Sequence, residues 1–136
     1  MARFSWLTLV FVVLGGAIGV AARAALVLPW GPAAHPLALP LVTAAINVTG
    51  SFALGFVVGR LGQSRPRLRA FLGTGVLGGF TTYSAFAVQT VQLFGAAPVT
   101  GMLLAAVSVA CGVAAAAWGV VIGRRQAAAR ITEVPA

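Results

Sequence analysis

Acidic side chains are almost missing: Glu133, in the tail, is the single carboxylate residue among 136. Lysine is absent, so all nine basic residues are arginine. There is one cysteine, Cys111, and one histidine, His35. Each shortage removes a class of function. Cys111 is single and lies in an apolar run, where it is expected to be buried; it makes neither a disulfide nor a metal site. His35 stands in a Pro-rich loop without partner ligands and reads as solvated. No acid–base pair or ligand cluster exists in the apolar runs, so an enzyme is not expected. Proton- and cation-coupled transporters usually hold the coupling ion on an intramembrane carboxylate, and no apolar run here carries Asp, Glu or Lys. A path built from hydroxyls, amides and one guanidinium favours an anion.

What the chain has instead is apolar surface. It is 60% hydrophobic and 7% charged, with a mean hydropathy of +1.03, where globular chains carry about 25% charged residues. This is the composition of an integral membrane protein, a single unit over residues 1–136 with no room for a separate soluble domain. Four spans are expected, over roughly 4–28, 37–58, 68–94 and 99–122, each reaching the ~20 residues that a ~30 Å hydrocarbon layer requires. Pro29-Trp-Gly-Pro32 closes the first, and the other links are short. The first run is too long for a signal-peptide core and is followed by three more spans, so it is expected to stay.

The third span contains Thr74-Gly-Val-Leu-Gly-Gly-Phe-Thr-Thr-Tyr-Ser-Ala-Phe86. Gly and β-branched Thr are weaker helix formers than Ala or Leu, so this stretch invites the backbone to unwind. Unwound backbone at membrane depth is tolerated only where it is buried in protein or lines a watery cavity. There it offers carbonyls and hydroxyls to an ion. The other reading is a flexible helix whose glycines merely let neighbours approach. Residue chemistry alone leaves both open. The expected fold class is therefore all-α integral membrane, four transmembrane helices with the third broken near its middle.

Charge placement sets an orientation. Arg3 precedes the first span; Arg60, Arg65, Arg67 and Arg69 lie between the second and third; Arg124, Arg125 and Arg130 follow the fourth. Eight arginines thus lie on one side and none in the two opposite loops, which by the positive-inside rule places both termini in the cytoplasm. These arginines flank spans, with no soluble fold to display them, so nucleic acid is not the expected partner; anionic membrane lipid is. Arg23 is the exception, inside the first span. A cost of about 2.5 to 3.5 kcal/mol at mid-helix makes it a functional suspect, yet its nearness to Pro29 also allows snorkelling. Both readings stay open.

Other polar groups are few. Asn47 offers an amide with two donors, and its match to a glycosylation sequon falls inside a span, where it cannot be used. Ser108 is a candidate pathway hydroxyl, although a membrane-helix serine more often bonds its own backbone or a neighbour. Gly15/Gly19, Gly55/Gly59, Gly75/Gly79 and Gly119/Gly123 give every span a small-xxx-small pair. Gly55-Phe-Val-Val-Gly-Arg60 echoes Gly119-Val-Val-Ile-Gly-Arg124, as a duplicated hairpin would.

Together these residues resemble the Fluc family of fluoride channels over nearly the whole chain. Gly15-Gly-Ala-Ile-Gly-Val-Ala-Ala-Arg23 looks like the family's first-span signature, Asn47-Val-Thr-Gly-Ser-Phe52 like its second, and Gly78-Gly-Phe-Thr-Thr-Tyr-Ser-Ala-Phe86 like its third-span break. The resemblance implies a subunit that pairs antiparallel with another and encloses two narrow paths exporting fluoride down its gradient, which lowers fluoride toxicity. It implies that the carbonyls of Gly78 and Thr81 from each subunit hold a structural Na⁺ at the dimer centre. Tyr83 and Phe86 fall at the ring-lined positions, Asn47 at the pore asparagine, and Ser108 on a polar track of the fourth span. Thr82, Ser84 and Arg23 join Asn47 as donors that offset dehydration of the ion. Tyr83 stands where phenylalanine is usual. Leu104 and Gly112 flank Ser108 where a continuous track calls for hydroxyls, so one path is expected to be impaired. Eight arginines against none suit one orientation, so the expected partner is a second, oppositely oriented Fluc-like subunit. A scaffold or non-conducting partner is the alternative reading. A small multidrug-type transporter would need a first-span carboxylate.

Overall fold

The computed structural model describes residues 5–30 and 35–132, with side chains through Ala129. Arg3, Glu133, the start of the first span at Phe4, the Gly31-Pro32 half of its closing turn and the Arg130 side chain lie outside the described residues. Among the described residues four helical stretches are long and apolar enough to cross a membrane.

Helix α1 (Trp6–Val27) begins at Ser5, whose hydroxyl accepts the Thr8 N–H, and ends just before Pro29; the residue ahead of a proline is disfavoured in helix. Helix α2 (Ala38–Leu61) runs three residues past its expected end and stops at Gly62, whose φ of +50° suits a glycine that turns the chain. The third span starts with Pro66 in the first turn of α3 (Pro66–Arg69), where its missing N–H costs nothing. It continues as a π-helical stretch, Ala70–Leu77, then a single turn, α4 (Gly78–Phe80). Thr81 and Thr82 are extended, at φ/ψ −78°/157° and −147°/117°. Helix α5 (Tyr83–Ala96) then resumes the crossing. The expected break is present, and the π-helical turns ahead of it, frequent at functional sites, were not foreseen.

Helix α6 (Pro98–Thr132) has 35 residues, ten beyond the expected end at 122. At 1.5 Å per residue it is about 52 Å long, more than a bilayer core. Arg124, Arg125, Gln126 and three alanines are good helix formers with no breaker among them, so the helix leaves the membrane without stopping. Arg60 ties its emergent part to α2 by donating to the Gln126 side chain at 3.2 Å.

The four glycine pairs find each other in two sets. Gly15 and Gly19 of α1 face Gly75 and Gly79 of the third span, and Gly55 and Gly59 of α2 face Gly119 and Gly123 of α6. In both sets the partners are spans that run in the same direction, one crossing apart. A Cβ on Gly55 would overlap the Ala116 carbonyl, and one on Gly119 the Phe52 carbonyl. Backbone therefore rests on backbone, the packing that membrane helices use when apolar burial gives no gain over lipid. The two echoing segments of α2 and α6 lie against each other. Large side chains contribute little to the interior: among the described residues Ile46 and Leu93 are the buried hydrophobic ones, at 3% and 9% exposure. Cys111, expected to be buried, is instead exposed on α6, because the α6 face it occupies looks away from α2.

Gly119→Val should lower stability in detergent by roughly 1–3 kcal/mol or more, as overpacking does. Gly95→Ala, whose added methyl meets nothing within 4 Å, should be neutral or slightly stabilising. Thermal melting of the two variants in one detergent checks this; indistinguishable midpoints would refute the backbone-contact account of the α2–α6 pair.

Candidate functional site

The break is held by one side chain. The Thr82 N–H donates to Asn47 Oδ1 at 2.8 Å, and Asn47 Nδ2 donates to the Thr82 carbonyl at 3.0 Å. The carboxamide thus presents its acceptor to the N–H and its donor to the C=O, as a neighbouring strand would. This pairing also fixes the orientation of the Asn47 amide. Thr82 is 8% exposed, so its main-chain groups would otherwise be stranded. Its hydroxyl accepts the Ala85 N–H at 3.2 Å and lies 3.3 Å from the Ser84 hydroxyl. That is an N-cap for α5. Thr81 continues the preceding turn, with both its N–H and its hydroxyl donating to the Leu77 carbonyl at 3.0 and 2.9 Å.

These diversions help to release main-chain oxygens. In a continuous helix the Thr82 N–H would close on the Gly78 carbonyl and the Ala85 N–H on the Thr81 carbonyl. The first is taken by Asn47, the second by the Thr82 hydroxyl. Gly78 and Thr81 are thus two of the four residues, 78–81, whose carbonyls lose their helical donors at the break. Hard, neutral oxygens of this type fit a cation such as Na⁺ better than a transition metal. Gly78 is exposed on the outer face of the chain.

Two cavities flank the Asn47–Thr82 pairing. The first, about 290 Å³, is lined by Asn47, Ser51 and Phe86 from one side and by Ser108 and Gly112 of α6 from the other. The buried Ser108 hydroxyl has no hydrogen-bond partner, so the self-satisfied serine common in membrane helices is not what α6 contains. The second cavity, about 260 Å³, brings Arg23 together with Thr43, Thr82 and Gln89. Arg23 is half-buried there, four residues from the end of α1. Tyr83 and Ser84 line neither cavity. Tyr83 is 82% exposed, and its ring centroid lies 6.3 Å from that of Phe86. Asn47, Phe86 and Ser108 are thus gathered in one place and Arg23 and Thr82 in another. Gly78, Tyr83 and Ser84 look outward.

Three lining residues escaped the sequence reading. Ser51 follows Asn47 by four residues, and Gln89 follows Phe86 by three. The first spacing puts Ser51 on the face of Asn47 and was the signal that could have found it, whereas Phe86 and Gln89 line different cavities. Thr43, 1% exposed, precedes Asn47 by four residues and carried the same signal.

An interrupted span with released main-chain oxygens and donor-lined cavities beside it defines a class: small multi-pass membrane proteins organised around a broken helix. The comparisons narrow it. Residues 10–120 match the family model described as CrcB-like protein, Camphor Resistance (CrcB), and the chain belongs to that family. It is 44% identical over 124 residues to the "Fluoride-specific ion channel FluC 2" of Leifsonia xyli subsp. xyli, covering 85% of this chain and 83% of that protein. It is 42% identical over 116 residues to the protein of the same name from Bacillus subtilis, covering 84% and 86%. It is 40% identical over 119 residues to the "Fluoride-specific ion channel FluC 1" of Rhodococcus jostii, covering 88% and 87%.

Gly50 keys the break into place, since a Cβ there would overlap Thr81 Cγ2. Gly50→Ala should push Thr81 outward and lower the thermal midpoint by several degrees, an overpacking cost of about 1–3 kcal/mol. Thr81→Ser removes the offending methyl but keeps the hydroxyl that bonds Leu77, so the double variant should recover most of the loss. Equal destabilisation of single and double variants would refute the contact.

Proposed function

We propose that this chain is a subunit of a fluoride channel, carrying F⁻ out of the cytoplasm down its gradient and so lowering fluoride toxicity. The observation that carries the reading is the diversion of the Thr82 and Ala85 N–H groups. It frees main-chain oxygens at mid-span while a cavity holding an amide, a hydroxyl and an aromatic edge lies alongside. Relatives with names that specify a fluoride channel, matching over most of this chain, support it.

Fluoride is small and strongly hydrated, so a conducting path must replace water donors one by one. Asn47 Nδ2 spends one N–H on Thr82 and keeps a second for the cavity. Ser108 has a hydroxyl free of protein partners. The positive edge of the Phe86 ring supplies polarised C–H groups. Tyr83, Thr82 and Ser84 add hydroxyls at the start of α5, and Arg23 adds positive charge near one mouth. The Gly78 and Thr81 carbonyls would hold Na⁺, whose charge would strengthen the local field for an anion in a low-dielectric interior.

The subunit is proposed to act as an antiparallel dimer. The outward-facing Gly78, Tyr83 and Ser84 would then be covered by the second chain, and two half-sites for Na⁺ would close into one. The one-sided arginines favour a distinct, oppositely oriented partner with this chain's termini in the cytoplasm. A non-conducting scaffold would account for the glycine pairs but not for the partnerless hydroxyl of Ser108.

Purified chain in liposomes, alone and with a candidate partner, should release fluoride in at least the paired preparation, with Phe86→Ile slowing efflux at least tenfold. Equal leak from wild type and variant would favour the scaffold, and full flux from the chain alone would remove the need for a partner. A reporter fused after Ala136 should read cytoplasmic in nearly all molecules; a sizeable periplasmic fraction would defeat the fixed orientation.

A further inference from the structure

The donor wall of the first cavity changes helix partway along. Where α6 lines this cavity only Ser108 carries a hydroxyl; one turn earlier stands Leu104 and one turn later Gly112. From α6 alone the polar row would end at Ser108, which is why one path is expected to be impaired. The structure puts another side chain at the missing position. A Cβ built on Gly112 would lie 3.6 Å from Ser51 Oγ and meet nothing else within 4 Å. The Ser51 hydroxyl, carried by α2, therefore faces the bare backbone of Gly112, where a side chain of α6 would have pointed. Ser51 follows Asn47 by one turn of α2, so both face the cavity that also holds Ser108.

We propose that Ser51 is an anion-binding residue of this cavity, supplying from α2 the hydroxyl that α6 lacks at Gly112. The subsite consists of the free N–H of Asn47, the Ser51 hydroxyl and the partnerless Ser108 hydroxyl, and it takes a small, hard, largely dehydrated monovalent anion. Its remaining walls are apolar: Val109, Val113 and Ala116. A poorly hydrated path of this kind leaves the three donors to replace the water that fluoride sheds. Hydrogen bonds to a charged group are about twice as strong as neutral ones, so each donor matters to flux. The proposal rests on the channel reading above and adds a residue to it.

The test is fluoride efflux from liposomes containing the conducting assembly, with monodispersity and melting midpoint recorded for every variant. Ser51→Ala should slow efflux by about tenfold, the loss expected for one hydrogen bond to a charged group, without moving the midpoint by more than a degree or two. Ser51→Thr, which keeps the hydroxyl, should retain most of the flux. Restoring a hydroxyl from the opposite wall is the decisive arm. Gly112→Ser has room for its Cβ, and in the Ser51→Ala background it should recover a substantial part of the lost rate. Wild-type flux in Ser51→Ala would overturn the proposal and leave the channel reading intact. Loss in Ser51→Ala with no recovery on adding Gly112→Ser would also overturn it, by making Ser51 a packing residue. Absence of fluoride flux from wild type, alone and paired, would instead sink the channel reading itself.

Discussion

The pairing of one carboxamide with one residue's main chain, Asn47 with Thr82, is the constraint on which the rest of the structure depends. A helix opened inside hydrocarbon must find partners for the N–H and C=O groups it releases, each costing several kcal/mol if left bare. Asn47 supplies an acceptor and a donor at 2.8 and 3.0 Å, so the central residue of the break loses nothing. Because Asn47 sits on a regular helix, it also fixes where the break stands relative to α2. The Thr82 hydroxyl then restarts the chain as α5. Extended backbone thus becomes a stable element within two residues.

That arrangement needs close neighbours, and the glycines provide them. Gly15 and Gly19 let α1 lie directly on the π-helical stretch and α4, and Gly50 lets the Thr81 side chain reach α2. One consequence is a chain with almost no conventional core: its interior is mostly backbone and glycine, with Thr43 and Thr82 buried as fully as Ile46 and Leu93. Such a thin bundle covers one face of the break and leaves the other open. Gly78, Tyr83 and Ser84 are exposed on that face. A tyrosine hydroxyl and freed carbonyls are poor company for lipid tails, and this is the physical case for a second protein chain there in the proposed assembly.

The elements that could be read from residues alone were those that depend on local chemistry. Spans followed from apolar length, the end of the first from Pro29, and the break from Gly and Thr clustered where Leu and Val belong. What could not be read was whatever depends on which helix lies against which. A small-xxx-small pair announces a close contact without naming its partner, so the match of first with third span and second with fourth had to be seen. Asn47 was legible as a donor but not as a clasp, since its target lies 35 residues away. Ser51 was hidden for the same reason, its meaning coming from Gly112 on another helix. The full length of α6 was not legible, because the arginines that close the expected span do not interrupt its helix.

The distribution of charge bears on how a path of this kind releases what it binds. Arg23 lines the second cavity near the end of α1, and the first cavity is lined by neutral donors and apolar side chains. Among the described residues no carboxylate exists to pair with Arg23. In the proposed channel the full positive charge therefore stands toward a mouth, where water screens it, and acts by attracting anions. Deeper in, the side chains the anion would touch carry only dipoles (an amide, hydroxyls and a ring edge), with the proposed Na⁺ acting from beyond them. A guanidinium in that dry interior would hold fluoride too tightly to let it leave, because charge pairs strengthen steeply as the dielectric falls. Conduction requires sites strong enough to offset dehydration yet weak enough to give the ion up. In the proposed channel, neutral donors handed from α6 to α2 along one wall, with the guanidinium kept at the rim, would satisfy both conditions at once.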